Sequence, residues 1–311
     1  MHHELLPTPG TVHWGYLDAA LPAVLKVGSG DTITVDTVSG GTRELPAIGH
    51  LRPAHREIVD RVEQGPGPHI LTGPIEVEGA EPGDTLEIRI LEVELTEDWG
   101  WNIIRPLRGA LPEDFPYLRK RLIPIDRNRR VARLPWGPEV PLQPFFGIIG
   151  VAPPAAYGRV SSVEPREYGG NIDNKELGVG SSLFLPVFVP GAKLSIGDGH
   201  AVQGDGEVCL TALETCLKGR FEVVLHKSHL SYPRAVTATH YIAMGFHEDL
   251  DDAAKLALRN MIGWLVELTG WSAEEAYVFC SLACDLRVTQ LVDGNKGIHA
   301  MVSRALVADT T

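Results

Sequence analysis

The residues best able to do chemistry are concentrated in one segment, Gly197-Asp198-Gly199-His200-Ala201-Val202-Gln203-Gly204-Asp205-Gly206-Glu207. Asp198 and His200 are separated by one residue. On an extended chain that spacing puts both side chains on one face. An imidazole nitrogen and a carboxylate oxygen so placed converge on one cation such as Zn²⁺. Gln203 and Glu207 add an amide and a further carboxylate, and the four glycines let the backbone approach a ligand closely. The plainer reading is a hydrophilic hairpin with turn-type Asp and Gly. The density of polar groups between two apolar runs, Leu183 to Val189 and Val208 to Leu213, favours a site. A second cluster, Gly169-Gly170-Asn171-Ile172-Asp173-Asn174-Lys175-Glu176, again puts two polar side chains, Asn171 and Asp173, on one face. Its alternative is a polar loop.

Other nucleophile schemes fare worse. There is no G-x-S-x-G elbow, and Gly180-Ser181-Ser182 runs straight into an apolar strand. Cys209 is expected inside a strand, with nothing electropositive to activate its thiol. His50, His55, His226, His229, His247 and His299 read as loop or face residues without metal-like spacing. His13, in His13-Trp14-Gly15-Tyr16, either lines a pocket or packs as a structural histidine.

These groups must be held by a mostly β scaffold. Glycine (33) and proline (23) are abundant in the 311 residues, which implies many turns and short strands rather than a helical bundle. Period-2 runs follow Gly/Pro/Asp turns at Thr32 to Val35, Leu86 to Ile90 and Lys193 to Ile196. They predict antiparallel sheets forming a sandwich or barrel-like body. Val77-Glu78-Gly79-Ala80 with Pro82-Gly83-Asp84 is echoed by Val189-Pro190-Gly191-Ala192 with Gly197-Asp198, through either two similar β units or shared turn chemistry. Residues 99–145, rich in Trp, Pro and Arg, read as an excursion over that body. Its basic run (Arg119, Lys120, Arg121, Arg129, Arg130) reads as a solvated face or a subunit contact.

The last hundred residues change character. Strands are expected at Phe221 to Leu225, Thr237 to Met244 and Leu286 to Val292. One helix spans about Leu250 to Leu268, capped near Asp251 or Asp252 and stopped by Gly270, with Ala254, Leu258, Met261, Ile262 and Leu265 on one face. A second opens on the capping box Ser272-Ala273-Glu274-Glu275. The expected organisation is a mainly β body over 1–215 that carries the site, and an α+β lobe over 216–311.

The net charge of −12 repels phosphate backbones and anionic membranes, so nucleic acid and membrane partners are excluded. Neutral or cationic small substrates fit. Met1-His2-His3-Glu4 lacks the apolar core of a signal peptide. The longest charge-free stretch, Pro141 to Gly158, holds four prolines and cannot be a membrane helix. Four cysteines, two of them the C-x3-C pair Cys280 and Cys284 in an apolar helical pattern, read as reduced thiols in the cytoplasm.

Over essentially its whole length the chain resembles the acetamidase/formamidase family. The resemblance is carried by His13-Trp14-Gly15-Tyr16; Gly73-Pro74-Ile75 with Val77 to Asp84; Gly169-Gly170-Asn171-Ile172-Asp173; Gly197 to His200 with Gln203 to Glu207; and Asp285-Leu286-Arg287 with Gln290. It implies hydrolysis of short amides to carboxylate and ammonia, a mostly β fold with an α+β part, and homo-oligomers. Some relatives open γ-lactams, and zinc or sometimes calcium accompanies the family. The residues 99–144 match no pattern of the family, which leaves the choice of amide open. With this resemblance, the expected enzyme is a metal-dependent amidase acting on non-peptide carbon–nitrogen bonds. Asp198, His200 and Asp173 are the expected ligands, Glu207 the general base with Asp205 and Glu214 as the alternative carboxylates, and Asn171 or Gln203 the group holding the carbonyl or oxyanion. The rivals are a metal-free amidase using Lys175 and a non-catalytic β-sandwich that binds a small molecule.

Overall fold

The computed structural model describes residues 1–45 and 51–307, so His50 lies outside the described residues. Alternating apolar residues and Gly/Pro turns fold into two large open sheets. The nine-stranded sheet runs from His2–Leu5 through Thr32–Asp36, Leu217–His226, Thr85–Leu95, Ser182–Pro186, Arg234–Val236, His240–His247 and Lys296–Ser303 to Cys284–Gln290. It draws strands from both sides of residue 215. The eleven-stranded sheet centres on Leu194–Val202, which pairs with Phe145–Gly150, Leu213–Thr215 and Ile70–Val77. Nearly all pairings are antiparallel; His2–Leu5 with Thr32–Asp36 and Leu25–Val27 with Ile70–Val77 are the parallel strand pairs among the described residues, beside an isolated parallel bridge between Gly206 and Gln290. The architecture is the expected β body with a C-terminal α+β part, and no barrel closes among the described residues.

The two sheets share one core. Leu86, Ile88 and Ile90 of one sheet and Phe146, Ile148 and Ile196 of the other belong to a single buried cluster. Phe146 and Phe221 meet across it at 5.3 Å between ring centroids. The two echoing turns bind each other, with Gly83 N donating to Val187 O (2.9 Å) and Val77 N to Gly191 O (2.9 Å).

Residues 99–145 are not an excursion. Trp99–Ile104, Arg119–Asp126, Val131–Arg133 and Glu139–Pro141 extend the eleven-stranded sheet as a meander. Period-2 patterning buries Trp99, Trp101 and Ile103 on one face. Phe115, Tyr117 and Trp136 stay exposed.

The helices follow from local signals, with one addition. Helix α1, Pro53–Arg61, has Pro in its first turn but buries only His55 and Ile58, too few apolar residues to show a period. Helix α2, Leu250–Thr269, is capped by Asp249 rather than Asp251 or Asp252; the Asp249 carboxylate accepts from both of their backbone N–H groups. Its most buried stripe is Ala253, Ala257, Met261, Trp264 and Leu265, with Ala254, Leu258 and Ile262 half-buried alongside. Small residues face the sheet because the approach is close: a Cβ on Gly245 would lie 2.3 Å from Ala253 O. Gly270 (φ 73°) ends α2, and Ser272 and Glu275 form the capping box of α3, Ala273–Ala283. All four cysteines are free. Cys209 lies in a turn before Leu213–Thr215, not inside a strand, because the apolar run from Val208 pairs only from Leu213. Burial pushes its thiol up, away from thiolate chemistry.

His55 and His299 are buried, not face residues, and so is His13. His55 Nε2 donates to Gly40 O at 2.8 Å. His13 lies between Tyr16 O (2.7 Å) and Ser195 Oγ (2.9 Å), which makes it a packed structural histidine. Burial lowers each of the three from 6.5 to about 4. In the unfolded chain they take up protons near pH 6.5, whereas the native state takes them up only near pH 4. Stability is therefore full above pH 6.5 and falls as pH drops towards 4, by up to about 3 kcal/mol per histidine. Urea midpoints between pH 7.5 and 4.5 should show this decline. His55→Gln should reduce the slope by up to one proton, about 1.4 kcal/mol per pH unit. An unchanged slope would show that His55 does not contribute.

Candidate metal and active site

Sheet register builds the site. Phe145 pairs with His200, His200 with Glu214, and Glu214 with Trp101. Residues directly opposite one another share a face, so these four form a row across four strands. The Phe145 ring meets the His200 ring edge-on at 5.0 Å. His200 and Asp198 lie inside the buried strand Leu194–Val202 rather than in a loop after it. Their i, i+2 spacing puts His200 Nε2 3.2 Å from Asp198 Oδ2. Glu214 Oε1 is also 3.2 Å from Nε2, Asp173 Oδ1 3.7 Å and Glu207 Oε1 4.0 Å. One imidazole nitrogen thus faces four carboxylates, all buried.

The backbone is bent to bring them there. Asp173, Asp198 and Glu207 have φ of 50°, 58° and 46°, a left-handed region that L side chains rarely adopt and that costs about 1–3 kcal/mol each. Asp173 N donates to Gly147 O at 3.1 Å. A Cβ on Gly147 would lie 2.4 Å from Asp173 Oδ1 and 2.5 Å from Asp198 Oδ2, so only glycine fits beside the two converging oxygens. The Glu207 turn is anchored by Gly206 N to Thr289 O (3.1 Å) and Leu291 N to Gly206 O (3.0 Å).

Gln203 plays a different part from the expected one. Its Oε1 accepts from His200 Nδ1 at 2.9 Å, and its Nε2 donates to Asp173 O at 2.8 Å and Thr289 O at 3.3 Å. Both ends of the amide are engaged, so Gln203 fixes the tautomer and aim of His200 instead of holding an oxyanion. Asn171 donates Nδ2 to Val163 O at 3.1 Å and lines the cavity, with its Oδ1 buried and unpartnered. Lys175 is paired with Asp205 at 3.0 Å and does not line the cavity, which removes it as a nucleophile.

Asp293, His69 and Trp101 were not evident as site residues in the sequence. Asp293 is presented by Gln290, whose Oε1 accepts from Val292 N (2.9 Å) and Asp293 N (3.1 Å). Its Val-Asp-Gly-Asn setting looks like an ordinary turn. His69, held by Ser162 Oγ at 2.9 Å, follows Gly-Pro-Gly-Pro and reads as loop. Asp173, Asp198, Glu207, Glu214 and Asp293, with His69, Trp101 and Asn171, line one cavity of about 200 Å³.

So many buried acids cannot all be charged without compensation. Burial, then the charge of Asp293, pushes Asp173 well above the usual carboxylate range. Burial and Asp173 do the same to Glu207, and burial and Glu207 to Asp293. Burial raises Glu214 to about 7 against the pull of His200. Burial also raises Asp198, but His69 and His200 outweigh it and hold this carboxyl below its usual range. For His200 burial favours the neutral ring, yet Glu214 and Asp198 keep it protonated well above the ordinary histidine range.

A metal ion fits this donor set. Asp173, His200 and Glu207, and likewise Asp198, His200 and Glu214, offer ligand atoms all within 4.8 Å of one another. Oxygens of Asp173, Glu207, Glu214 and Asp293 are buried without a hydrogen-bond partner, as expected of oxygens shaped for a cation.

The chain is similar to known proteins over its sequence and its fold. The acetamidase/formamidase family model matches residues 17–159 and 154–303. A formamidase of Methylophilus methylotrophus is 33% identical over 191 residues, 45% of this chain and 47% of that protein. An acetamidase of Mycolicibacterium smegmatis is 30% identical over 198 residues, 45% of this chain and 49% of that protein. The chain spans about half the length of the curated relatives it matches. A crystal structure of an acetamidase from Bacillus halodurans shares the fold at a TM-score of 0.86, with 31% identity over 99% of both chains.

Proposed function

The chain belongs to the acetamidase/formamidase family, and from that membership and the site's geometry we propose a metal-dependent amidohydrolase that cleaves a small linear amide to carboxylate and ammonia. The observation that carries the reading is a single imidazole aimed at four buried carboxylates on the wall of a cavity. We assign Asp198, His200 and Glu214 as the ligands, with Glu214 in place of Asp173, because both carboxylates lie 3.2 Å from His200 Nε2. A nitrogen donor among oxygens suits zinc better than calcium, which prefers oxygen ligands throughout. Zinc held there would polarise the amide carbonyl and lower the pKa of water.

The chain's own groups supply the rest. Glu207 takes the proton of the attacking water and delivers it to the leaving nitrogen; its buried Oε2 has no other partner. Burial, and after it the charge of Asp173, raises that carboxyl well above the usual carboxylate range, so it is able to hold a proton. Asn171 orients the amide, and Gln203 locks His200. The burial of all these groups keeps bulk water out, which strengthens each electrostatic contact.

No helix of the described chain is long and apolar enough to cross a membrane. The four free cysteines support a cytoplasmic setting. The exposed Phe115, Tyr117 and Trp136 support a homo-oligomer, dimer or higher.

The test is ammonia release from formamide, acetamide and γ-lactams, with metal content and particle mass measured on the same sample. Release from the linear amides by a zinc-bearing oligomer is expected. Release from lactams alone would favour a lactamase. A stoichiometric binder that frees no ammonia would reduce the protein to a small-molecule-binding sandwich. A particle of 33.8 kDa, the mass of one chain, would overturn the oligomer.

A further inference from the structure

The same cavity is larger and differently charged at its mouth than formamide or acetamide requires. A water-sized group needs roughly 10–15 Å³ of such a space, so about 200 Å³ exceeds the room needed by an amide of three or four heavy atoms. The carboxylates that line it are all buried. Its charged lining residues that reach solvent are Arg43, Arg105 and Arg108. Arg43 and Arg108 are exposed and form no ion pair with any described residue. Arg105 gives one nitrogen to the buried Glu44 at 3.0 Å. Between mouth and acids, Trp101 contributes an indole N–H that is buried and unpartnered. A chain of net charge −12 thus places its positive charge and a free donor along the approach to the proposed site. A neutral, short amide has no charge for the three guanidinium groups to pair with.

We propose that the amide substrate carries a carboxylate on its acyl side, bound by Arg105 and Arg108 with Arg43, so that the substrate class is the monoamide of a short dicarboxylic acid. This rests on the amidohydrolase reading above. Guanidinium groups match carboxylate geometry and remain charged at every working pH. The local positive field at the mouth offsets the repulsion of the chain as a whole. The reaction balances without a co-reactant: water adds its oxygen to the carbonyl carbon, the C–N bond breaks, one water proton goes to the leaving nitrogen, and the second, lost by the new carboxylic acid, converts ammonia to ammonium as the dicarboxylate leaves.

The experiment compares succinamate with its neutral isostere succinamide on the protein carrying its metal, by kcat/KM and by calorimetric binding. Succinamate should be favoured by about 10- to 100-fold, the worth of charge-assisted hydrogen bonds, and the preference should shrink as salt is added. Arg105→Gln with Arg108→Gln should bring the ratio close to one. Should that pair misfold, Arg108→Gln alone, at an exposed and unpaired position, should lower the ratio severalfold. Equal rates and affinities for the two amides in the parent, or a preference unchanged by the substitutions, would overturn the inference. Ammonia release from formamide and acetamide on the same sample tests the amidohydrolase reading separately, and the calorimetric ratio decides whether the mouth selects carboxylate whatever the outcome there.

Discussion

Alanine in place of His200 is expected to abolish metal binding and amide hydrolysis together. His200 is the shared member of both compact ligand sets and the one nitrogen donor in them. Losing a partner of a ligand already lowers metal affinity by about 10–100-fold, so losing this ligand should lower it by more. Five buried carboxyl groups then remain without the imidazole and the cation it helps to hold, and they must bind protons instead. Elemental analysis should find less than a tenth of the parent's zinc, and ammonia release should fall in proportion. Chelator should reproduce the loss in the parent, and added zinc should restore the parent but not the variant. Because His200 is only 1% exposed, near-UV circular dichroism must confirm the fold, and part of any drop in Tm will be lost metal linkage. A folded His200→Ala protein that retains a full equivalent of zinc would defeat the assignment.

The second large effect is expected from Glu207→Gln. Glutamine keeps the shape and the turn but cannot take a proton from water. General acid–base groups contribute about 10²–10⁴-fold, so turnover should fall by that much while zinc content and fold stay as in the parent. Glu214→Gln is the internal comparison. As the assigned ligand at 3.2 Å from His200 Nε2, it should lose zinc as well as rate. Near-native turnover in Glu207→Gln would remove Glu207 from the proton-transfer role and leave Asp173 and Asp293, the other buried acids of the cavity, to be tested in turn.

Much of this site was legible from short spacings. The i, i+2 spacing of Asp198 and His200 points both to one face of an extended chain, and they do converge, with the left-handed φ of Asp198 completing the approach. Asn171, Asp173 and Glu207 stood out as polar groups among glycines, and all three line the cavity. The capping box of α3 and the αL stop of α2 were equally visible, since such signals need only a few consecutive residues.

Trp101, His69 and Asp293 were not visible as members of the site, and Glu214 was legible only as an alternative carboxylate to Glu207, not as a partner of His200. Glu214 and Trp101 reach it only because Leu213–Thr215 pairs beside His200 and Trp99–Ile104 beside Glu214. A slip of one residue in either pairing would turn those side chains to the other face. The Trp/Pro/Arg-rich segment looked like an excursion for the same reason: pairing partners distant in sequence leave no local mark. The role of Gln203 was likewise decided by a carbonyl from Asp173 and another from Thr289. The sequence by itself determined which polar residues share a strand face and where the helices begin and end, because those depend on backbone period and nearby hydrogen bonds. Only the tertiary structure decided which carboxylates meet around His200, because sheet register is set by packing of the whole two-sheet core.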